Sequence, residues 1–200
     1  SGWAGAGSPA NPYRLALDGV NDYVSLPIGT TRGLTKFSVG MWIRTTEART
    51  HATYWNRPSL FGSASGGQGS SDFAITTSGG VLGMWSGLIT GADNSILSTS
   101  TINDNVWHYI AATNDGSTIR LYVDGQSAAT TSTMTSNNIA LHSRFFTLGG
   151  TSIEWDSSVN YFHQADYGHV SFYNRALTAS EIARCHLKEK WELTEAIAGC

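Results

Sequence analysis

Charge is what this 200-residue chain has least of. Only 14% of its residues are Asp, Glu, Lys or Arg, and the formal net charge is -3. About a quarter is usual for a soluble domain. Without a basic excess there is no general electrostatic pull toward nucleic acid or an anionic membrane surface. No run is long and apolar enough for a spanning helix, which takes about 20 residues, so direct membrane insertion is not expected. The opening Ser1-Gly2-Trp3-Ala4-Gly5-Ala6-Gly7-Ser8-Pro9 lacks the basic region and apolar core of a signal peptide. It reads as a mature or trimmed end, and the chain is compatible with being part of a larger multidomain protein. The Gly-, Ser-, Thr- and Asn-rich composition leans toward a secreted or cell-surface setting.

Cysteine is scarce as well. Cys185 and Cys200 are the two present. If one helix ran between them, their Cα atoms would stand about 22 Å apart, whereas a disulfide needs less than about 7 Å. Either the helix ends early and the chain folds back through Gly199, or Cys185 is buried and Cys200 loose. Several catalytic motifs are missing. There is no Gly-x-Ser-x-Gly elbow, no His-Glu-x-x-His and no Cys/His cluster. Gly66-Gly67-Gln68-Gly69 lacks the lysine and following helix of a phosphate loop. Glycoside cleavage takes two carboxylates about 5–9.5 Å apart, and the nearest arrangement is Glu154-Trp155-Asp156, which reads more readily as loop. His163, Asp166 and His169 lie close in sequence, but His169 falls in a strand pattern and is expected to be structural. The chain is therefore not expected to be an enzyme.

Aromatics and glycine are what it has. Aromatic residues make up 11%, with Trp 7, Tyr 8 and Gly 22, and disordered chains are poor in aromatics. Period-two alternation is strongest at Phe37 to Arg44, where Phe37, Val39, Met41 and Ile43 share one face and Trp42 takes the other. Further strands are expected at Tyr13–Leu17, Tyr23–Leu26, Leu60–Gly62, Phe73–Ile75, Val81–Trp85, Trp107–Thr113, Thr118–Val123, Phe145–Gly150 and Gly168–Tyr173, with a weaker one at Ile96-Leu97. Asp18 to Asp22, Ser78-Gly79-Gly80, Asn114 to Ser117 and Asp124-Gly125 supply turns. Short strands with turns every 8–12 residues argue for an all-β sandwich or barrel. The pattern changes at Thr178-Ala179-Ser180-Glu181, a capping box that opens a helix over about 179–196. Ile182, Leu187, Trp191 and Ile197 would form its apolar stripe. With no repeat and no linker, residues 1–200 form one domain, a sandwich over about 12–177 and the C-terminal helix.

Four segments carry a family resemblance. They are Leu17 to Val24, Phe37 to Ile43, Trp107 to Gly125, and Gly168 to Thr178. In this order they resemble the opening strand and turn, an early core strand, the central hairpin and the closing strand of the laminin-G-like, concanavalin A-like lectin/glucanase jelly rolls. The resemblance implies a concanavalin-like antiparallel β-sandwich. Retaining glucanases of that fold carry two glutamates around an aspartate on one strand, and this chain has no such motif. Many relatives hold one structural Ca²⁺ between the opening turn and the closing strand. Here Asp18, Asn21, Asp22 and Asp166 would be its ligands. The relatives' acidic residues before the closing strand are replaced by Gly168-His169, which points to an absent metal or to backbone carbonyls. An aspartate-stabilised turn is the plainer reading.

Long loops carry function on sandwiches. The stretch from Thr45 to Pro58 has no clear period and holds His51, Tyr54, Trp55, Asn56 and Arg57. Aromatics of this kind stack on the apolar face of a sugar, while Asn and Arg hydrogen-bond hydroxyls. Trp85 and Trp155 would extend the patch, as would Tyr161, Phe162 and His163, unless they fill the core. The expected function is carbohydrate binding without catalysis. The alternative is adhesion or assembly through a cell-surface protein partner, since Tyr, Trp and Arg are enriched at interfaces too.

Overall fold

The structure, a computed structural model, describes residues 2–8, 11–27, 34–64, 73–86, 94–131, 146–153 and 158–195. In chain order the strands are β1 (Gly2–Ala4), β2 (Arg14–Asp18), β3 (Val24–Ser25), β4 (Phe37–Arg44), β5 (Ser59–Ala64), β6 (Phe73–Ser78), β7 (Val81–Ser86) and β8 (Asn94–Thr101). They continue with β9 (His108–Asn114), β10 (Ile119–Val123), β11 (Gln126–Thr131), β12 (Thr147–Leu148), β13 (Thr151–Ile153), β14 (Ser158–Asn160) and β15 (Gln164–Tyr173). One turn of 3-10 helix, Tyr54–Asn56, sits between β4 and β5, and α1 (Ala179–Glu195) follows β15.

Two sheets result. One has seven strands in the order β1-β2-β15-β4-β9-β10-β11. The other runs β14-β13-β5-β6-β7-β8, with β12 joined to both β5 and β3. Pairing is antiparallel apart from β13 beside β5. The expected sandwich is present, and its cause is the alternation of apolar residues. Phe37, Val39, Met41 and Ile43 of β4 point into the core shared by the two sheets. Ile119, Leu121 and Val123 do the same from β10. Trp42, Tyr109 and Tyr122 point to the opposite, outer face of the seven-stranded sheet.

Helix α1 covers that outer face. Ile182 packs against Trp42 and Tyr109 in one buried cluster, and the His186 ring lies 5.4 Å from Trp42 and 6.0 Å from Tyr109. Positions 182, 185 and 186 follow the i, i+3, i+4 spacing of one helix face. Leu187 falls off that face and is 59% exposed, so it does not join the expected stripe. The Trp191 side chain and Ile197 lie outside the described residues. The capping box is reciprocal. Thr178 N–H donates to Glu181 Oε2 at 2.8 Å and Glu181 N–H donates to Thr178 Oγ1 at 3.3 Å. Arg175 pairs with Glu181 as well. Cys185 is a free thiol, and Cys200 lies outside the described residues.

Four strands escaped the sequence reading. Strand β11 (Gln126–Thr131) is mostly polar and is signalled only by the Asp124-Gly125 turn before it. Strands β1, β13 and β14 have only three residues each, too few to show a period. Strand β8 is longer than Ile96-Leu97 suggested because its remaining residues, Asn94, Ser95 and Ser98 to Thr101, are polar. As an edge strand paired to β7 it needs one apolar side only.

The Phe61 ring contacts Phe73, Phe146 and Phe172 between the sheets. Its truncation to Ala is expected to cost about 3–5 kcal/mol, read as a lowered urea midpoint at unchanged m-value. A loss below about 1 kcal/mol would contradict this packing.

Candidate functional site

The loop that leaves β4 is fastened at its start. Thr45 Oγ1 donates to Gln164 O at 2.6 Å and accepts from Glu47 N–H at 2.9 Å. The buried Glu47 carboxylate accepts from Arg49 N–H at 2.8 Å and grips its guanidinium. Burial alone would raise the Glu47 carboxyl, but the hydrogen bonds from Arg49 outweigh it and hold it below its ordinary range. Arg49 Nη2 also donates to Phe162 O at 2.7 Å. The loop is thereby tied to the link between β14 and β15.

A cleft of about 440 Å³ opens where these pieces meet, lined among others by Gly19, Val20, His51, Asn56, Tyr161 and Phe162. Two of the residues expected to bind a ligand, His51 and Asn56, therefore share a cavity with the expected extension Tyr161-Phe162. His51 Nδ1 accepts from Thr53 N–H at 3.1 Å, which sets its ring beside the turn. Asn56 Oδ1 is buried and meets no donor among the described residues. Tyr161 has φ 57, a left-handed backbone that is uncommon for a bulky residue. Its carbonyl accepts from Ser59 N–H at 2.8 Å, and its ring packs on the cluster of Ala64, Ala74, Trp85 and Ile153. That packing and the Ser59 bond hold the strained turn. Nothing in the sequence signals it, because no glycine marks the position.

Beside the cleft, the 3-10 turn lifts Trp55 to the surface. It is 44% exposed and meets Tyr54 edge to face at 4.8 Å. Trp85 does not extend this patch as expected. It is 2% exposed, because the register sets it opposite Ala74, which in turn lies opposite Gly62. These small residues leave a hollow that the indole fills, with Tyr54 over it at 6.4 Å. Arg57 is also withdrawn, at 9% exposure, rather than offered to solvent. Trp155, with Glu154 and Asp156, lies outside the described residues.

Of the expected metal set, Asp18 and Asp166 line one hollow, but the protein's own groups engage both. Asp18 Oδ1 accepts from Val20 N–H at 2.8 Å, and Asp22 Oδ2 accepts from Asp18 N–H at 3.0 Å. With Asn21 N–H also turned toward Asp18 Oδ1 at 3.4 Å, this is the aspartate-stabilised turn. Asp166 is taken by two guanidinium groups, Arg14 and Arg44. A carboxylate already neutralised in this way does not suit a calcium ion, which wants six to eight oxygens. Among the described residues no group of three or more His, Cys, Asp or Glu is placed to hold a metal. His163 is inside, with Nε2 2.9 Å from Thr77 Oγ1, whereas His169 is exposed.

Two stacked, mainly antiparallel sheets with a loop-built cleft at one side form a concanavalin-like jelly roll. Residues 18–183 match the family model of the concanavalin A-like lectin/glucanases superfamily, and the chain belongs to that family. No curated protein sequence matches it. Among solved structures it is similar to the CBM40 of Ruminococcus gnavus IT-sialidase bound to α2,6-sialyllactose, at 16% identity and TM-score 0.67, covering 86% of this chain and 95% of that one. It is similar to domain 4 of AbnA, a GH43 extracellular arabinanase of Geobacillus stearothermophilus, in complex with arabinotriose, at 19% identity and TM-score 0.62, covering 92% and 81%. A native heptameric SAP-like pentraxin from Limulus polyphemus matches at 13% identity and TM-score 0.64, covering 84% and 78%. Identities this low establish the fold alone.

Two histidines shifted in opposite directions give opposite pH responses. Burial pushes His163 down to about 4 from an ordinary 6.5. Below 6.5 the unfolded chain takes up a proton that the folded chain refuses until about 4. Stability is therefore lost as pH falls through that window, by on the order of 3 kcal/mol. His108 is raised by its hydrogen bond to Asp124 and by Asp104, against its partial burial. Its contribution is full below the unfolded value and is lost as pH rises through the folded one. Urea unfolding between pH 4 and 8 should show the acid-side slope flattened in His163→Gln and the other slope flattened in His108→Gln. An unchanged acid-side slope in His163→Gln would reject the assignment.

Proposed function

We propose that this domain is a carbohydrate-binding module that recognises a glycan through its surface loops and performs no catalysis. The observation that carries the reading is the exposed indole of Trp55, braced by Tyr54 and placed one residue before Asn56 at the cleft. Ligand sites combine apolar and aromatic walls with a few placed polar groups. Here the aromatic groups are Trp55, Tyr161 and Phe162, and the polar groups are His51 and Asn56. Support comes also from two similar structures, one a module bound to sialyllactose and the other a domain in complex with arabinotriose. A secreted or cell-surface location belongs to this reading and rests on the low-charge composition. The reading does not call on calcium, because Asp166 is engaged by Arg14 and Arg44.

One observation favours a second reading, adhesion or assembly through a protein. Trp3 on the edge strand β1 is 84% exposed and Tyr13, leading into β2, is 70% exposed. Exposed aromatics on a sheet edge suit a protein contact.

A glycan array probed with the purified protein, in paired wells with millimolar Ca²⁺ and with EDTA, separates the two. Selective binding is expected, unchanged by EDTA. Trp55→Ala should weaken it by about thirtyfold, the loss of a binding hot spot worth about 2 kcal/mol. Silence from a folded protein in both conditions would overturn the glycan reading in favour of the protein partner.

A further inference from the structure

The described arginines are almost all accounted for by acids. Arg14 and Arg44 share Asp166, Arg49 holds Glu47, Arg120 holds Asp115 and Arg175 holds Glu181. Arg184 is exposed. Arg57 differs from all of them. It is the buried one, at 9% exposure, and no carboxylate among the described residues pairs with it. Its Nε and Nη1 are covered and meet no acceptor among the described residues. Burial lowers its proton affinity, yet a guanidinium remains charged in proteins. Natural folds pair buried charges, because an isolated one is strongly unfavourable.

Local structure sets where this charge points. Arg57 N–H donates to Tyr54 O at 3.3 Å at the end of the 3-10 turn. Three residues per turn place Arg57 on the same side as Tyr54, and the Tyr54 ring lies over Trp85. Ser59 pairs with Thr76, so the period of two along the strand also sets Arg57 toward the face that carries Thr76 and Trp85. On that face Trp85 Nε1 and Thr76 Oγ1 are buried without partners among the described residues. Guanidinium and indole are donors only, and the hydroxyl can donate. The unanswered Arg57 guanidinium calls for an anion with several acceptor sites. A carboxylate matches, since its two oxygens take the two-pronged approach of a guanidinium.

We infer that the outer face of the eight-stranded sheet, under the Tyr54–Asn56 turn, is an anion subsite in which Arg57 binds the carboxylate of an acidic sugar. The sugar part rests on the glycan-binding reading; the charge requirement rests on Arg57. The residual exposure of Arg57 leaves an approach from solvent, two residues along the chain from the exposed Trp55 that would stack on the sugar.

Calorimetric titrations with 3′-sialyllactose and trigalacturonate, with the methyl esters of both, and with lactose and arabinotriose test it. At least one of the two acids is expected to bind the wild-type protein, and its ester about thirtyfold or more weaker. Arg57→Gln should lose the same factor for the acid and none for the ester. Thermal unfolding of Arg57→Met guards against a structural role. Removing an uncompensated charge while keeping the apolar stem should leave the unfolding temperature equal or higher. Equal affinity for acid and ester, or neutral sugars bound with no effect of Arg57→Gln, would overturn the carboxylate subsite and leave glycan binding standing. No heat with any probe would overturn the subsite; if the array were silent too, glycan binding would fall with it. An unfolding temperature lowered by more than about 5 °C in Arg57→Met would show Arg57 holding the turn together and would likewise overturn the subsite.

Discussion

Phenylalanine rings from both sheets meet in one contact network at the centre of the sandwich. Phe37 of β4 and Phe172 of β15 come from the seven-stranded sheet. Phe61 of β5, Phe73 of β6 and Phe146 just before β12 come from the other side. Phe37 reaches Phe73 at 4.9 Å and Phe61 reaches Phe172 at 5.8 Å, so the network crosses between the layers. Such ring pairs add to area burial through their geometry. Because side chains alternate along a strand, a slip of one residue would exchange every inner side chain for an outer one. The rings therefore hold the register of β4, β5, β6 and β15 at once.

The outer faces follow from that register. With Phe61 and Phe73 turned inward, Gly62 and Ala74 must face outward, side by side. A Cβ on Gly62 would come within 2.4 Å of the Ala74 Cβ, so the row can only be low there. Trp85 lies down beside that low row, and the loop from β4 to β5 closes over it through Tyr54. A hydrophobic hollow on an outer face is thus converted into a platform for a loop. The platform also removes polar atoms from solvent, Trp85 Nε1 and the Nε and Nη1 of Arg57 among them. On the other outer face the same step is completed by α1, whose Ile182 and His186 cover Trp42 and Tyr109. Among the described residues that face carries no comparable orphaned charge, since Asp166 answers Arg14 and Arg44.

The loop is rigid where it is anchored and open where it would meet a ligand. Glu47 and Arg49 bind it to the Phe162 carbonyl, and Gly149 holds the link on the other side. Gly149 N–H donates to Leu60 O, and Gly149 O accepts from His163 N–H. Its φ is 83, and a Cβ there would stand 2.3 Å from Leu17 Cδ1, so only glycine serves. Between these anchors Trp55 projects and the cleft opens. A scaffold that fixes its loops at both ends gives the pre-organised surface on which glycan recognition would depend. The fold itself hosts many functions, so the argument for binding rests on the site and not on the architecture.

Much of the framework was legible in the sequence because it depends on local rules. Alternation on β4 and β10, the Asp124-Gly125 turn, the Thr178-Glu181 capping box and the order of the four resemblance segments needed no knowledge of distant contacts. The candidate loop was legible for a similar reason: aromatics and amides without a period mark a segment that does not pair. What alternation does not encode is which outer face will be covered, and by what. Trp55 and Trp85 each follow a large residue, Tyr54 and Met84, and precede a polar one, Asn56 and Ser86, yet one stands in solvent and the other is enclosed, because only the packed sheet reveals the hollow formed by Gly62 and Ala74. Asp166 looked like a metal ligand until β2 and β4 brought Arg14 and Arg44 to it from 152 and 122 positions away in the chain. Arg57 was expected to meet sugar hydroxyls at the surface, but the turn buries it, with no acid paired to it among the described residues. Sequence determined the strands, turns and layers, where each residue answers to its near neighbours. Tertiary structure alone decided burial and pairing at the site, where the partners are distant in the chain and meet only once the sheets have stacked.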